Sequence, residues 1–445
     1  MTAVTSRWLE GNFAPVPDEL DATDLEVEGA VPPSLEGRYV RTGPNPIGSP
    51  GDDYHWFVGH GMVHGVRLAG GRAEWYRNRW VLSPEIAAER GVDPVPTPSG
   101  SPFSGLGNTN VFHHAGRVFA ITELSLPYEL DDELDTVRQV DFGGPMPAGM
   151  VAHPKFDPAT GEMHTVAYHF EEPWLRYHAV DAGGTLTRTE VIDVAGPVMV
   201  HDFAVTESSI VVFDLPVVFD LEAALADVPL PYRWDPDYTA RVGVMPRDGT
   251  GANTRWAEVE PCYVFHPLGA YDDDGSVVVD VARHPKMFAT TLTGPDEGPP
   301  TLDRWTIDPA AGKVVEERLD ERGQEFPRAD ERRAGRQHRY GYTVATSGPD
   351  LVGGLLKHDL ATGESVAYDL GEGRSAGEFV FVPDRDDAGE DEGWLMGYVY
   401  DAGTDRSALW VLDAHDFGAA PQAVVHLPRR VPYGFHGNWL PDSVT

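Results

Sequence analysis

A turn signature that recurs along the chain limits what it can fold into more than any other feature. Asp157-Pro-Ala-Thr-Gly161, Asp308-Pro-Ala-Ala-Gly312 and Asp359-Leu-Ala-Thr-Gly363 each place an Asp, able to accept from the backbone just ahead of it, four residues before a Gly that can take positive φ. Such a segment closes a hairpin. Around these signatures lie short runs of apolar, β-branched and aromatic residues that read as strands: Val111 to Thr122, Ile210 to Asp214, Ser276 to Val281, Phe379 to Val382 and Trp394 to Tyr400. The last two signatures start 51 residues apart and the first two 151. Those spacings are near one and three times the ~40 to 50 residues of a four-stranded propeller blade. On periodicity alone a propeller stands level with a sandwich or barrel.

Helix signals are few. Ser83 to Gly91 has an N-cap Ser, Pro at the first helical position and a closing Gly, and Asp220 to Asp227 is the other candidate. Both read as insertions among strands. The acidic stretch Asp384 to Glu392 is too short for a linker, so residues 1–445 read as one domain.

Charge excludes one class of partner. With 71 Asp and Glu against 34 Lys and Arg the formal net charge is −37, which repels nucleic acid and reads as a solubilising surface. The single cysteine, Cys262, rules out an intrachain disulfide and a cysteine-built zinc or iron–sulfur site. The first twenty residues carry no apolar core of signal-peptide length, and no apolar run reaches the ~18 residues of a membrane span, so a cytoplasmic protein is expected.

Chemistry is concentrated in a subset of the 17 histidines. His153 (Ala-His-Pro-Lys-Phe-Asp-Pro), His201 (Val-His-Asp-Phe), His266 (Val-Phe-His-Pro-Leu) and His436 (Gly-Phe-His-Gly-Asn-Trp) sit among apolar or turn residues, not on charged faces. Separations of 48, 65 and 170 residues forbid the i, i+4 pairing of a helical zinc site. They can meet only through tertiary structure, which a propeller permits because its inner strands converge on an axis. Three carboxylates in apolar contexts, Glu123, Glu325 and Glu378, need partners if buried, and an imidazole that binds metal offers its other ring N–H. For Glu325 an ordinary ion pair with nearby Arg328 is an alternative.

The string His55-Trp-Phe-Val-Gly-His-Gly-Met-Val-His-Gly65, the segment Asn108-Thr-Asn-Val111 before Glu123, and the seven residues above resemble the carotenoid cleavage oxygenase family, which includes apocarotenoid oxygenases and lignostilbene dioxygenases. The resemblance runs from about Gly37 to Leu440. It implies an all-β, seven-bladed β-propeller with a helical and loop cap over one face carrying a substrate tunnel. It also implies one Fe2+ bound by His153, His201, His266 and His436, with Glu123, Glu325 and Glu378 orienting three of the imidazoles and the fourth lacking a carboxylate. The implied activity is cleavage of a conjugated C=C bond of a carotenoid or apocarotenoid by O2 to carbonyl products. All-imidazole ligation is compatible with ferrous iron.

This sequence departs from the family pattern in places. His60 stands between Gly59 and Gly61 where relatives commonly have Asp, and Val58 where they have another, so a structural salt link is lost and local repacking is expected. Gly269 stands where many relatives have Asn, which puts a hydrogen bond near His266 in doubt. Thr122 precedes Glu123 where stilbene-cleaving relatives tend to carry a Lys that engages a phenol oxygen, so a polyene is favoured over a stilbene or vinyl-phenol. An oxygen-independent isomerohydrolase and a non-catalytic binding propeller are the competing readings. The apolar segment 215–230, with Leu221 and Leu225, reads equally as a membrane-facing mouth or as packing, and Phe103, Tyr128, Phe142, Trp174 and Phe326 read as core before tunnel wall. The oligomeric state is not legible.

Overall fold

The computed structural model describes residues 6–48, 50–51, 54–99, 104–290, 297–346 and 352–442, and Phe103 lies outside them. Among these described residues the strands form seven sheets of four to six strands and one two-stranded ribbon, the sheet composition of a seven-bladed β-propeller. The chain divides into two compact units, one of Met1–Asp141, Gly353–Leu355 and Val366–Thr445, the other of Phe142–Val352 and Leu356–Ser365.

In the first unit, strands from distant parts of the sequence share sheets. Gly37–Pro44 pairs with Gly437–Pro441 on one side and Gly61–Ala69 on the other, while Val27–Gly29 pairs with Ala423–His426. Tyr39, Val66 and Tyr76 of the first of these sheets pack with Val380, Tyr398, Leu409 and Val425 of the second in one buried cluster. Each side chain so enclosed contributes on the order of 1.5–3 kcal/mol of burial.

The second unit holds four-stranded sheets that run in sequence order, among them Lys155–Phe156 to Leu186–Ile192 and Tyr263–Asp273 to Lys313–Asp320. Burial follows strand position. Met163–Tyr168 and Ser209–Asp214 are buried throughout and carry mostly apolar residues, whereas the last strands, Leu186–Ile192 and Lys313–Asp320, largely alternate or stand exposed and carry charges. An edge strand has water on one side, and its charges also discourage edge-to-edge pairing with other chains.

The turn signatures act as hairpins. Gly161, Gly312 and Gly363 have φ of 72°, 65° and 74°. Asp157 Oδ1 accepts from Ala159 N at 2.8 Å, Asp308 Oδ1 from Ala311 N at 2.8 Å and Asp359 Oδ1 from Ala361 N at 3.1 Å. The 51-residue spacing is a true repeat, since both of those turns join the third and fourth strands of successive sheets. The 151-residue spacing is not three repeats, because the Asp157 turn joins the first and second strands of its sheet. Turn chemistry reports a local hairpin, and any hairpin of a sheet can use it.

Both expected helices form. Pro84–Arg90 is capped by Ser83 Oγ and ends at Gly91 with φ 66°, and Leu221–Leu225 is capped by Asp220. Segment 215–230 divides: Leu215, Val217 and Val218 are buried, while Leu221 and Leu225 are 62% and 78% exposed. Tyr128, Phe142 and Phe326 are buried and Trp174 half-buried. Among the described residues no helix is long and apolar enough to cross a membrane.

Candidate metal centre

In the second unit, four successive sheets each contribute one residue from the start of their first strand. His153 precedes Lys155–Phe156, His201 precedes Phe203–Val205, His266 lies in Tyr263–Asp273 and Glu325 in Gln324–Arg328. Local irregularity aims the last two. The ladder of Tyr263–Asp273 shifts register between Val264 and Pro267 and again before Gly269, and that of Gln324–Arg328 shifts between Glu325 and Arg328. Pro267 and Pro327 have no N–H to give a ladder, and a bulge turns a side chain out of the alternation. At the second bulge Phe326 has φ 52°, a conformation costing on the order of 1–3 kcal/mol for a bulky residue. That conformation lets the Phe326 N–H donate to Glu325 Oε2 and stacks its ring on His266 at 5.6 Å.

The three imidazoles converge. His153 Nε2 lies 3.1 Å from His201 Nε2, which lies 3.2 Å from His266 Nε2. Phe265 stands edge-on to His201 at 4.9 Å. Glu325, fully buried, accepts from His266 Nδ1 at 2.6 Å and from His284 Nε2 at 2.9 Å. Burial works to raise the pKa of this carboxyl, but His266 and His284 outweigh it and hold the group well below the usual carboxylate range. An ionised carboxylate only accepts, so His266 Nδ1 carries the proton and its Nε2 presents a lone pair toward the other rings. Arg328, the alternative partner for Glu325, pairs with Glu331 at 2.5 Å.

Beside this group, buried Asp202 is bound by Lys155 Nζ at 2.8 Å and 3.0 Å and by Phe203 N at 2.7 Å. Burial raises the Asp202 pKa against the pull of Lys155. His153 Nδ1 is 3.8 Å from Asp202 Oδ2, beyond hydrogen-bonding range.

The first unit places the remaining residues. His436 immediately precedes the strand Gly437–Pro441, and its Nδ1 donates to Glu378 Oε1 at 2.9 Å. Glu378 Oε2 accepts from Gly437 N at 3.1 Å, and both residues are buried. Glu123 is half-buried in the turn after Arg117–Ile121, with Leu124 at φ 60°.

The departures are accommodated locally. His60 Nδ1 accepts from Ile47 N at 3.3 Å. A Cβ at Gly269 would stand 2.6 Å from the His338 ring, so here an imidazole occupies the space a larger residue would need. Thr122 Oγ1 donates to Asn108 Oδ1 and accepts from Asn108 N, both at 2.9 Å, and offers no cation.

The donor set fits a metal ion. Metal–imidazole bonds of ~2.1 Å at right angles separate their nitrogens by about 3.0 Å, close to the spacings of the three converging rings. His284, Asp202 and Lys155 were not singled out from the sequence. Asp202 directly follows His201 and Lys155 follows His153 by two, so motif adjacency was an available signal for both, whereas His284 had none.

Comparison with known proteins agrees. A carotenoid cleavage oxygenase from Mycobacterium tuberculosis is 44% identical, covering 98% of each chain. The lignostilbene dioxygenase of Pseudomonas brassicacearum shares the fold with a TM-score of 0.90 at 29% identity, over 98% of this chain and 99% of that one. Cobalt-substituted Synechocystis apocarotenoid oxygenase gives 0.85 at 27% identity, over 96% and 97%. The family profile described as retinal pigment epithelial membrane protein matches residues 13–441, and the chain belongs to that family, the carotenoid cleavage oxygenases.

Proposed function

We propose that this protein is a non-haem Fe(II) dioxygenase that cleaves a conjugated C=C bond of a carotenoid or apocarotenoid to carbonyl products. In this reading His153, His201, His266 and His436 hold the iron, and Glu123, Glu325 and Glu378 orient imidazoles. The observation that carries it is the convergence of the His153, His201 and His266 Nε2 atoms at 3.1 and 3.2 Å, with Glu325 fixing the tautomer of His266. His436 is held by Glu378 in the same manner. Ferrous iron, when bound, supplies the redox chemistry by which dioxygen reacts with an alkene.

The chain's own residues set the conditions for that chemistry. Glu325 and Glu378 keep the Nδ1 protons of His266 and His436 in place, leaving Nε2 of each as donor. Phe265 stands edge-on to His201 and Phe326 stacks on His266, which restrains both rings. Thr122, turned onto Asn108, supplies no charged anchor for a phenol, which favours a polyene. The 0.90 TM-score to a lignostilbene dioxygenase favours a second reading, cleavage of a stilbene or vinyl-phenol.

Exposed Leu221 and Leu225, with half-buried Phe219 stacked on Phe170 at 5.1 Å, form an apolar edge suited to a lipid surface from which a polyene is drawn. Flotation with phosphatidylcholine vesicles tests this. Leu225→Asp is expected to reduce binding, and equal flotation removes the patch from the reading.

Aerobic incubation of iron-loaded protein with β-carotene, apocarotenals, resveratrol and isoeugenol, with products weighed by mass spectrometry under 18O2, tests the activity. Labelled aldehydes from the carotenoid set are expected. Labelled products only from the aryl-alkenes would establish the second reading, and no cleavage of any of these double bonds by the iron-loaded protein would overturn both.

A further inference from the structure

Glu325 serves two histidines, and only one of them belongs to the proposed ligand set. Its Oε2 accepts from His266 Nδ1 and from the Phe326 N–H, while Oε1 accepts from His284 Nε2. Glu325 is 0% exposed and His284 1% exposed, so bulk water does not reach this pair. His284 is itself clamped. It ends the strand Ser276–His284, opposite Tyr263, and its ring lies edge-on to Phe265 at 5.2 Å. Phe265 in turn touches His201, so one aromatic side chain spans the ligand group and His284.

We propose that His284 is a positioning residue of the metal centre: by donating Nε2–H to Glu325 Oε1 it fixes the plane of the carboxylate and thereby aims His266 at the ion. The inference rests on the iron-centre reading above. A carboxylate pivots about its last carbon–carbon bond, and the two donors on Oε2 hold its plane from one edge only. Anchoring Oε1 on a clamped ring holds Oε2 in line with His266 Nδ1. The ordered unit is therefore His284–Glu325–His266, built from the ends of three strands that belong to two neighbouring sheets. Its sequence separations are 41 and 59 residues.

The test is affinity for Fe(II), measured by competition with a chromophoric chelator, and for Co(II), whose visible spectrum reports ligand geometry. Wild type, His284→Leu, His284→Gln, Glu325→Gln and the double variant His284→Leu/Glu325→Gln are compared as folded full-length chains. His284→Leu is expected to weaken Fe(II) binding by ~10- to 100-fold, as loss of a partner behind a ligand does. His284→Gln, which keeps a donor, is expected to recover part of the loss. The double variant is expected to bind no more weakly than Glu325→Gln, because His284 acts through that carboxylate. Losses that multiply in the double variant, or an unchanged affinity and cobalt spectrum in His284→Leu, overturn the assignment of His284 while leaving the iron centre standing. A wild-type chain that takes up neither ion overturns both. If His284→Leu does not fold, His284→Phe, which keeps a ring and removes the donor, takes its place alone and combined with Glu325→Gln under the same additivity criterion.

Discussion

Replacing Glu378 by Gln removes one charge from a buried pair while keeping its shape. The carboxylate is 2% exposed and each oxygen has a donor, His436 Nδ1 at 2.9 Å and Gly437 N at 3.1 Å. An amide has one acceptor oxygen and an NH2 group, so in either rotamer one of those donors meets another donor. If the oxygen stays on Gly437, His436 loses the acceptor that fixes its tautomer. If it stays on His436, the Gly437 N–H is stranded and the imidazole has a neutral partner. A hydrogen bond to a charged group contributes ~1.5–3 kcal/mol, and at about 1.4 kcal/mol per decade that is roughly one to two orders of magnitude in Fe(II) affinity. The assay is chelator competition for Fe(II), run beside a thermal melt of the metal-free chain. Weaker iron binding is expected in addition to any loss of metal-free stability. A lower melting temperature with undiminished affinity would refute the reasoning and make Glu378 a structural residue alone.

His201→Ala is expected to abolish stoichiometric iron binding, since its Nε2 stands within 3.2 Å of both neighbouring ring nitrogens; full occupancy by metal analysis, with turnover, would remove it from the site. Gly269→Ala drives a methyl to 2.6 Å from the His338 ring and is expected to cost about 1–3 kcal/mol in urea unfolding, with partial recovery in the Gly269→Ala/His338→Ala pair; an unaltered midpoint in the single variant would show that the ring moves aside freely. The imidazoles of His164, His178 and His358 are pushed down to about 3, 4 and 4, chiefly by burial, with Arg247 adding at His164 and Arg176 at His178. Each stays neutral in the folded chain but binds a proton in the unfolded chain below the ordinary value of 6.5, so stability falls as pH drops from 6.5 toward 4. The loss is at most ~1.4 kcal/mol per pH unit for each ring, and a urea midpoint that does not move between pH 7 and pH 5 would contradict it.

Strands and turns were legible in the sequence because their causes are local. An Asp that accepts from the backbone two residues on, a Gly four residues on at positive φ and a run of β-branched residues specify a hairpin wherever they occur, as the turns at Asp157, Asp308 and Asp359 do. The same locality misled the count of repeats, because the Asp157 turn closes a different hairpin of its sheet from the other two. Motif strings named His153, His201, His266 and His436 with Glu123, Glu325 and Glu378 as candidates, since residue type and immediate neighbours are one-dimensional facts. Which donor meets which acceptor was settled by the fold. The Glu325–His284 contact spans 41 residues and depends on where two ladders slip register at Pro267 and Pro327. The room that His338 takes beside Gly269, and the division of segment 215–230 into buried Leu215 and Val217 and exposed Leu221 and Leu225, depend in the same way on distant backbone. Local propensity sets the alternation of each strand, but register and bulges decide where its side chains finally point, and those are properties of paired strands.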